Sequence, residues 1–171
     1  MSKMIALCGF MGCGKSTLGK LAAAALGREF LDLDAYIETK AGKTVTEIFA
    51  DSGEAGFRDL EHEALKEVAA RQNVILALGG GTVLFDRNVQ ALRTAGTPVI
   101  LLDAPLALLK ARLKNDTKRP LLQQGEREKV IEELYHKRIG LYRAAATHTF
   151  PILDVGKEEN ASRLKALCET L

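Results

Sequence analysis

The chain has 171 residues, 47% hydrophobic and 27% charged, enough for a sizeable core in one soluble domain. Its formal net charge of +2 is too small to argue for a nucleic-acid or lipid surface. No apolar run reaches membrane-spanning length and no signal-peptide pattern opens the chain. The three cysteines (Cys8, Cys13, Cys168) lack metal-site spacing, so the expectation is a protein of the reducing cytoplasm.

Short apolar runs alternate with helical patterns from end to end. Met4–Cys8 reads as a buried strand and is followed by Gly9-Phe10-Met11-Gly12-Cys13-Gly14-Lys15-Ser16, the P-loop spacing G-x-x-x-x-G-K-[ST]. Backbone N–H groups that curl around phosphate oxygens need glycine at Gly9, Gly12 and Gly14, where a Cβ would crowd the turn or the ligand. Lys15 then reaches the β- and γ-phosphates, Ser16 offers a hydroxyl to Mg²⁺, and the N-terminus of a helix over Ser16–Leu26 adds positive potential. Gly27 stands where the C-cap of that helix belongs.

Phe30–Leu33 predicts the second strand, ending in Asp32-Leu33-Asp34. Alternation along a strand would put both carboxylates on one face, aimed at the P-loop, where Mg²⁺ and a substrate hydroxyl would relieve their mutual repulsion. Thr44-Val45-Thr46-Glu47 has capping-box spacing and predicts a short helix ending near Asp51. A long amphipathic helix follows from about Gly53 to Arg71. In it Glu54, Arg58 and Glu61 stand at i−4, i and i+3, a pattern that an ordinary solvated salt bridge explains.

Val74–Leu78 predicts the third strand, with Gly79-Gly80-Gly81-Thr82 beyond it permitting close backbone approach to a ligand. A helix over Asp86–Thr94 with Gly96 as its stop, a strand at Val99–Leu102 and a helix over Pro105–Lys114 come next. Residues Asn115–Gly125 are polar and interrupted by proline, too long for a tight turn. They read either as a surface loop or as a lid that carries Arg119 onto a transferring phosphoryl group. A helix from about Glu126 to Arg143 and a strand at Phe150–Leu153 lead to an apolar stripe at Leu164, Leu167, Cys168 and Leu171, a docking helix. Arg138 lies among Glu132, Glu133 and Lys137, and by charge pattern alone is a surface residue. His62, His136 and His148 have no metal-site spacing and read as ordinary helix or loop residues. Strand–helix alternation with a P-loop after the first strand predicts a doubly wound α/β sheet with ligands at the carboxyl ends of its strands.

Taken in order, GFMGCGKST, FLDLD, GEAGFR, LGGGTV, RPLL and the Arg138 helix ending in GLYR resemble the shikimate kinase family over essentially the whole chain. The P-loop alone is shared by very many NTPases; the ordered set is far more specific. The resemblance implies a three-layer P-loop kinase fold, with a five-stranded parallel sheet, helices on both faces and a mobile lid. It implies a single domain over residues 1–171, with the lid at about 112–125 and a substrate-binding helical segment at about 34–62.

It also implies the roles of particular residues. Gly12, Cys13, Gly14, Lys15, Ser16 and Thr17 would hold the ATP phosphates, and Ser16 and Asp32 would hold Mg²⁺. Asp34 would contact the attacking hydroxyl, with Lys15 and Arg119 completing the catalytic set. Arg58 and Arg138 would clamp the substrate carboxylate with help from the Gly80 N–H, while Phe49 and Phe57 line the pocket. Arg112 would stack near adenine. The family's proline-bearing turn by the adenine is absent from Leu153-Asp154-Val155-Gly156-Lys157-Glu158, so no base contact is assigned there. As partners the resemblance implies ATP and shikimate, with no nucleic acid and no membrane, acting on a monomer. An unperturbed carboxylate near pKa ~4 is a weak base, so the main contribution expected of Asp34 is orientation. Cys13, at a helix N-terminus, is a candidate reactive thiol or else a small residue pointing away. Kinases of other small hydroxylated acids such as gluconate, nucleoside monophosphate kinases and an ATP-sensing module are the competing readings.

Overall fold

In a computed structural model, the described residues are 2–123 and 125–171; Gln124 of the expected lid lies outside them. Five parallel strands form one sheet in the order β2-β3-β1-β4-β5. They are β1 (Ile5–Cys8), β2 (Glu29–Asp32), β3 (Val74–Ala77), β4 (Val99–Asp103) and β5 (His148–Pro151). The central three are buried along nearly their whole length, as strands covered on both faces must be. Each fully buried Ile or Leu there contributes about 1.5–3 kcal/mol by leaving water.

The helices are α1 (Lys15–Leu26), α2 (Leu33–Ala41), α3 (Val45–Ala69), α4 (Asp86–Thr94), α5 (Leu106–Leu113), α6 (Arg127–Ala145) and α7 (Lys157–Cys168). Thr44 and Glu47 form the expected capping box. Gly53 breaks α3 into the two predicted helices, with φ 68° and ψ −176°, a backbone conformation essentially closed to residues with a Cβ. Gly27 caps α1 in the left-handed conformation, and α7 docks on α1 through Leu164 and Cys168, both fully buried. Among the described residues no helix is long and apolar enough to cross a membrane.

Two sequence expectations are corrected. The second strand stops at Asp32, whose side chain accepts a hydrogen bond from the Ala35 N–H and so caps α2; Leu33 and Asp34 are already helical. Asp32 and Asp34 therefore do not alternate along a strand. The fifth strand begins two residues earlier than its apolar run, because the register with β4 pairs Ile100 with His148 and Asp103 with Pro151. An edge strand buries only part of each face, so polar His148 and Thr149 can serve in it, and His148 is a strand residue. Pro151, which has no N–H to donate, sits at the strand's end.

Candidate active site at the carboxyl edge of the sheet

β1 lies between β3 and β4, so the crevice above its carboxyl end is the switch point of the sheet. The loop that leaves it, residues 9–14, turns through positive φ at Gly9 (149°), Gly12 (78°) and Gly14 (103°). A Cβ on Gly9 would lie 2.8 Å from Cys13 Sγ and 2.9 Å from the Leu102 carbonyl oxygen, so glycine is required there by packing as well as by φ. Lys15 Nζ donates to the carbonyl oxygens of Gly9 (2.7 Å) and Phe10 (3.3 Å), which holds its charge across the mouth of the loop. Cys13 is fully buried, so its thiol fills the underside of the loop and only its backbone faces a ligand.

A cavity of about 590 Å³ opens in front of this loop. Lys15, Ser16, Asp32, Asp34, Gly80 and Arg119 are among the residues that line it. Ser16 Oγ donates to Asp32 Oδ2 (3.1 Å), so one hydroxyl and one carboxylate meet beside the phosphate loop. That donor set suits Mg²⁺, a hard cation that takes few protein ligands and completes its shell with water and phosphate oxygens. Among the described residues no group of three or more His, Cys, Asp and Glu side chains could hold a metal without such help.

Asp34 stands in the first turn of α2 and faces the same cavity. Burial raises its pKa to about 6, and the neighbouring Asp32 and Glu61 carboxylates push the same way against Lys15 and Arg58. A carboxylate held in this range is a stronger base than the unperturbed group expected from sequence.

The glycine turn after β3, Gly79–Gly81, forms the other wall. On one side of it lies Arg58, its Nη1 donating to Glu61 Oε1 at 2.9 Å and its Nε 3.6 Å from Glu54 Oε1. The pair is not the solvated bridge that spacing alone suggested: Glu61 is fully buried and also accepts from Thr82 Oγ1 at 2.8 Å. The Arg58 guanidinium lies over the rings of Phe57 (5.2 Å) and Phe85 (4.8 Å). A Cβ on Gly81 would land 2.5 Å from Arg58 Nη2, so a larger residue there would displace the arginine. Phe57 is buried, and its ring centroid is 4.8 Å from that of half-exposed Phe49 across the α3 kink.

Arg138 lies on the other side of the turn. A Cβ placed on Gly80 would be 3.7 Å from its Nη1, so the guanidinium faces the open side of that glycine. The charge-rich helix α6 thus turns Arg138 toward the glycine turn. Arg58, Arg138, Phe49 and Phe57 do not line the phosphate-side cavity itself; Arg58 with its phenylalanines and Arg138 stand at the glycine turn, and Arg58 acts on Asp34.

The segment from 114 to 123 is organised by Asp116. Its carboxylate accepts from the backbone N–H groups of Lys118 (2.9 Å) and Arg119 (3.1 Å) and pairs with the Arg119 guanidinium. Partial burial opposes ionisation of Asp116, but those hydrogen bonds and the Arg119 charge hold its pKa below the ordinary range. Leu122 is buried and Arg127 Nη1 donates to the Leu113 carbonyl (3.0 Å), so the loop is pinned at both ends while Arg119 faces the cavity. Arg112 Nη1 donates to the Gly12 carbonyl (3.0 Å) and so braces the P-loop at the rim. The histidines are held by ordinary contacts: His62 pairs with Asn88 (2.8 Å), His148 with Thr147 (2.8 Å), and His136 meets the Tyr135 ring edge-on.

Sequence reasoning undervalued Glu61 and did not single out Phe85, Asn88, Asp116 or Tyr142. Only the i, i+3 spacing of Arg58 and Glu61 was a readable signal, and burial decides its meaning.

A glycine-turned phosphate loop at the switch point of a 2-3-1-4-5 parallel sheet defines a P-loop kinase fold. A sequence model of the family described as shikimate kinase matches residues 11–169. A shikimate kinase of Chlorobium chlorochromatii is 40% identical over 168 residues, covering 98% of this chain and 88% of the relative. One from Chromohalobacter salexigens is 49% identical over 142 residues, 83% and 78% of the two chains. The solved shikimate kinase from Acinetobacter baumannii in complex with shikimate superposes with a TM-score of 0.89 at 36% identity, over 99% of this chain and 94% of that one. The chain belongs to the shikimate kinase family.

Proposed function

We propose that the protein transfers the γ-phosphoryl group of ATP to the 3-hydroxyl of shikimate. The observation that carries this reading is Asp34, set between the P-loop and the Arg58–Glu61 pair with its pKa raised to about 6. A proton acceptor flanked by a phosphate loop and a guanidinium suits an anionic, hydroxylated acceptor.

The nucleotide phosphates rest on the N–H groups from Gly12 to Thr17 and on Lys15, which leaves the Gly9 and Phe10 carbonyls for the incoming charge. Ser16 and Asp32 would hold Mg²⁺, which when bound neutralises charge on the β- and γ-phosphate oxygens. The shikimate carboxylate is clamped by Arg58 and Arg138 with the Gly80 N–H, and guanidinium forks give it a fixed orientation that lysine cannot copy. Phe49 and Phe57 cover the ring. The 3-hydroxyl oxygen then bonds to the γ-phosphorus as the bond to the β–γ bridging oxygen breaks. The hydroxyl proton passes to Asp34, and the bridging oxygen leaves on ADP.

Most of the acceleration comes from positioning and charge stabilisation, as is general for phosphoryl transfer. Residues 112–125 act as the lid. Arg119 exchanges Asp116 for the transferring phosphoryl group as the lid closes and water is excluded. Arg112 covers the adenine from the P-loop rim. The protein acts as a cytoplasmic monomer of one domain, with residues 34–62 as its substrate segment.

The test is an ADP-release assay with shikimate, gluconate, several nucleoside monophosphates and water as acceptors. Shikimate-dependent release far above the others is the expected result. Equal or greater turnover with gluconate or a nucleotide would overturn the reading.

A further inference from the structure

Tyr142 is the one fully buried tyrosine among the described residues, and its hydroxyl donates to the Gly80 carbonyl oxygen at 2.7 Å. It stands on α6 four residues after Arg138, so both side chains rise from one face of the helix toward the same turn. Arg138 also lies close to the Tyr142 hydroxyl, and its guanidinium faces the open side of Gly80.

The turn needs such a tether. Gly79, Gly80 and Gly81 have no side chains of their own to hold them, and three consecutive glycines are the costliest backbone to order. A peptide plane is rigid, so fixing the Gly80 oxygen fixes the whole Gly80–Gly81 plane and the ψ angle of Gly80 with it. A phenylalanine would fill the same volume but would leave the half-buried Gly80 carbonyl without this partner, free to turn.

We infer that Tyr142 is a positioning residue for the carboxylate clamp: its hydroxyl locks the Gly80 turn to α6 at the distance that lets Arg138 and the turn grip one carboxylate together. It thereby sets the preference for an acid over its neutral ester. Burial pushes the Tyr142 phenol up to about 12, with Arg138 acting the other way, so the hydroxyl remains a donor at every pH at which such an enzyme is assayed. The inference rests on the reading of Arg138 and Gly80 as carboxylate ligands.

The experiment compares shikimate with its methyl ester in Tyr142→Phe, Arg138→Met and the unaltered enzyme, with thermal midpoints recorded beside the kinetics. Tyr142→Phe is expected to raise KM for shikimate about five- to tenfold, the scale of one lost net hydrogen bond. KM for ATP, KM for the ester and kcat should each stay within about twofold. An unchanged KM for the acid, or equal losses for acid and ester, would overturn the inference.

The Arg138→Met arm separates the two levels of argument. If it leaves the acid preference intact, the clamp reading fails and takes this inference with it. If it abolishes that preference while Tyr142→Phe does not, this inference alone fails. Should Tyr142→Phe not fold, 4-aminophenylalanine at position 142 keeps a donor on the same ring. A preserved acid-to-ester ratio there supports the tether, and a lost ratio overturns it.

Discussion

The two halves of the site are built on opposite plans. The phosphate half is a single run of chain, Gly9–Thr17, whose recognition groups are backbone N–H donors set by three glycine φ angles. The proposed acceptor half takes Asp34 from α2, Arg58 from α3, Gly80 from the turn after β3 and Arg138 from α6, four separate elements of the chain. Glu61 holds Arg58, Asp116 holds Arg119, and Tyr142 holds Gly80. Phosphate is a common ligand that one local loop can cradle. A hydroxylated acid with fixed stereochemistry needs contacts from several directions, which only packed side chains provide.

If that contrast is right, changes in the acceptor half should damage turnover or shikimate binding and spare the nucleotide, and changes in the loop should do the reverse. The largest effect is expected from Asp34→Asn, with kcat falling about 10²–10⁴-fold while ATP binding is nearly intact. Near-normal turnover would remove Asp34 from the chemistry. The same substitution should raise the thermal midpoint. The fold raises the Asp34 pKa from 3.8 to about 6, so the stabilising neutral form is fully present below pH about 4 and is lost as pH rises through 6. At neutral pH the charged side chain therefore costs stability, about 2–3 kcal/mol from a shift of this size, and asparagine relieves that cost.

Arg58→Ala should weaken shikimate binding by about 2–5 kcal/mol through a substrate carboxylate left unpaired. It should also lower stability, since Glu61 then sits buried without its cation. A wild-type KM for shikimate in this variant would contradict the clamp. On the other half, Gly9→Ala should cost about 1–3 kcal/mol in backbone strain alone, with more from the Cys13 and Leu102 clashes, and should raise KM for ATP in any folded protein recovered. A folded variant with normal ATP kinetics would show that the loop tolerates what its geometry forbids.

Smaller effects sharpen the picture. The pH profile of kcat/KM should rise through a midpoint near 6 as Asp34 ionises. Glu61→Gln should move that midpoint downward by removing one of the charges that raise it, and an unmoved midpoint would assign the ionisation to another group. The least effect is expected from alkylating agents: buried Cys13 should react in the unfolded chain and resist modification in the native one, with no loss of activity. Rapid inactivation that ATP prevents would restore the reactive-thiol reading.

The residues themselves carried the P-loop, the strand–helix alternation, the Thr44 capping box and the break at Gly53, because each is a local pattern in which spacing maps directly onto backbone geometry. The end of the second strand was misread because Asp32 can continue a strand or cap a helix equally well, and its bond to the Ala35 N–H decides between them. Arg138 looked like one charge among several, and Arg58 with Glu61 looked like a surface pair. Burial of Glu61 and the approach of Arg138 to the Gly80 turn separate these from their neighbours, and both are properties of the packed molecule.

Sequence alone therefore determined the fold class and the nucleotide loop, whose interactions close within a few residues. Tertiary structure decided the proton affinity of Asp34, the sealing of Cys13 and the approach of Arg138 to the Gly80 turn. Those depend on desolvation and on charges brought together from distant parts of the chain, and no local spacing encodes them.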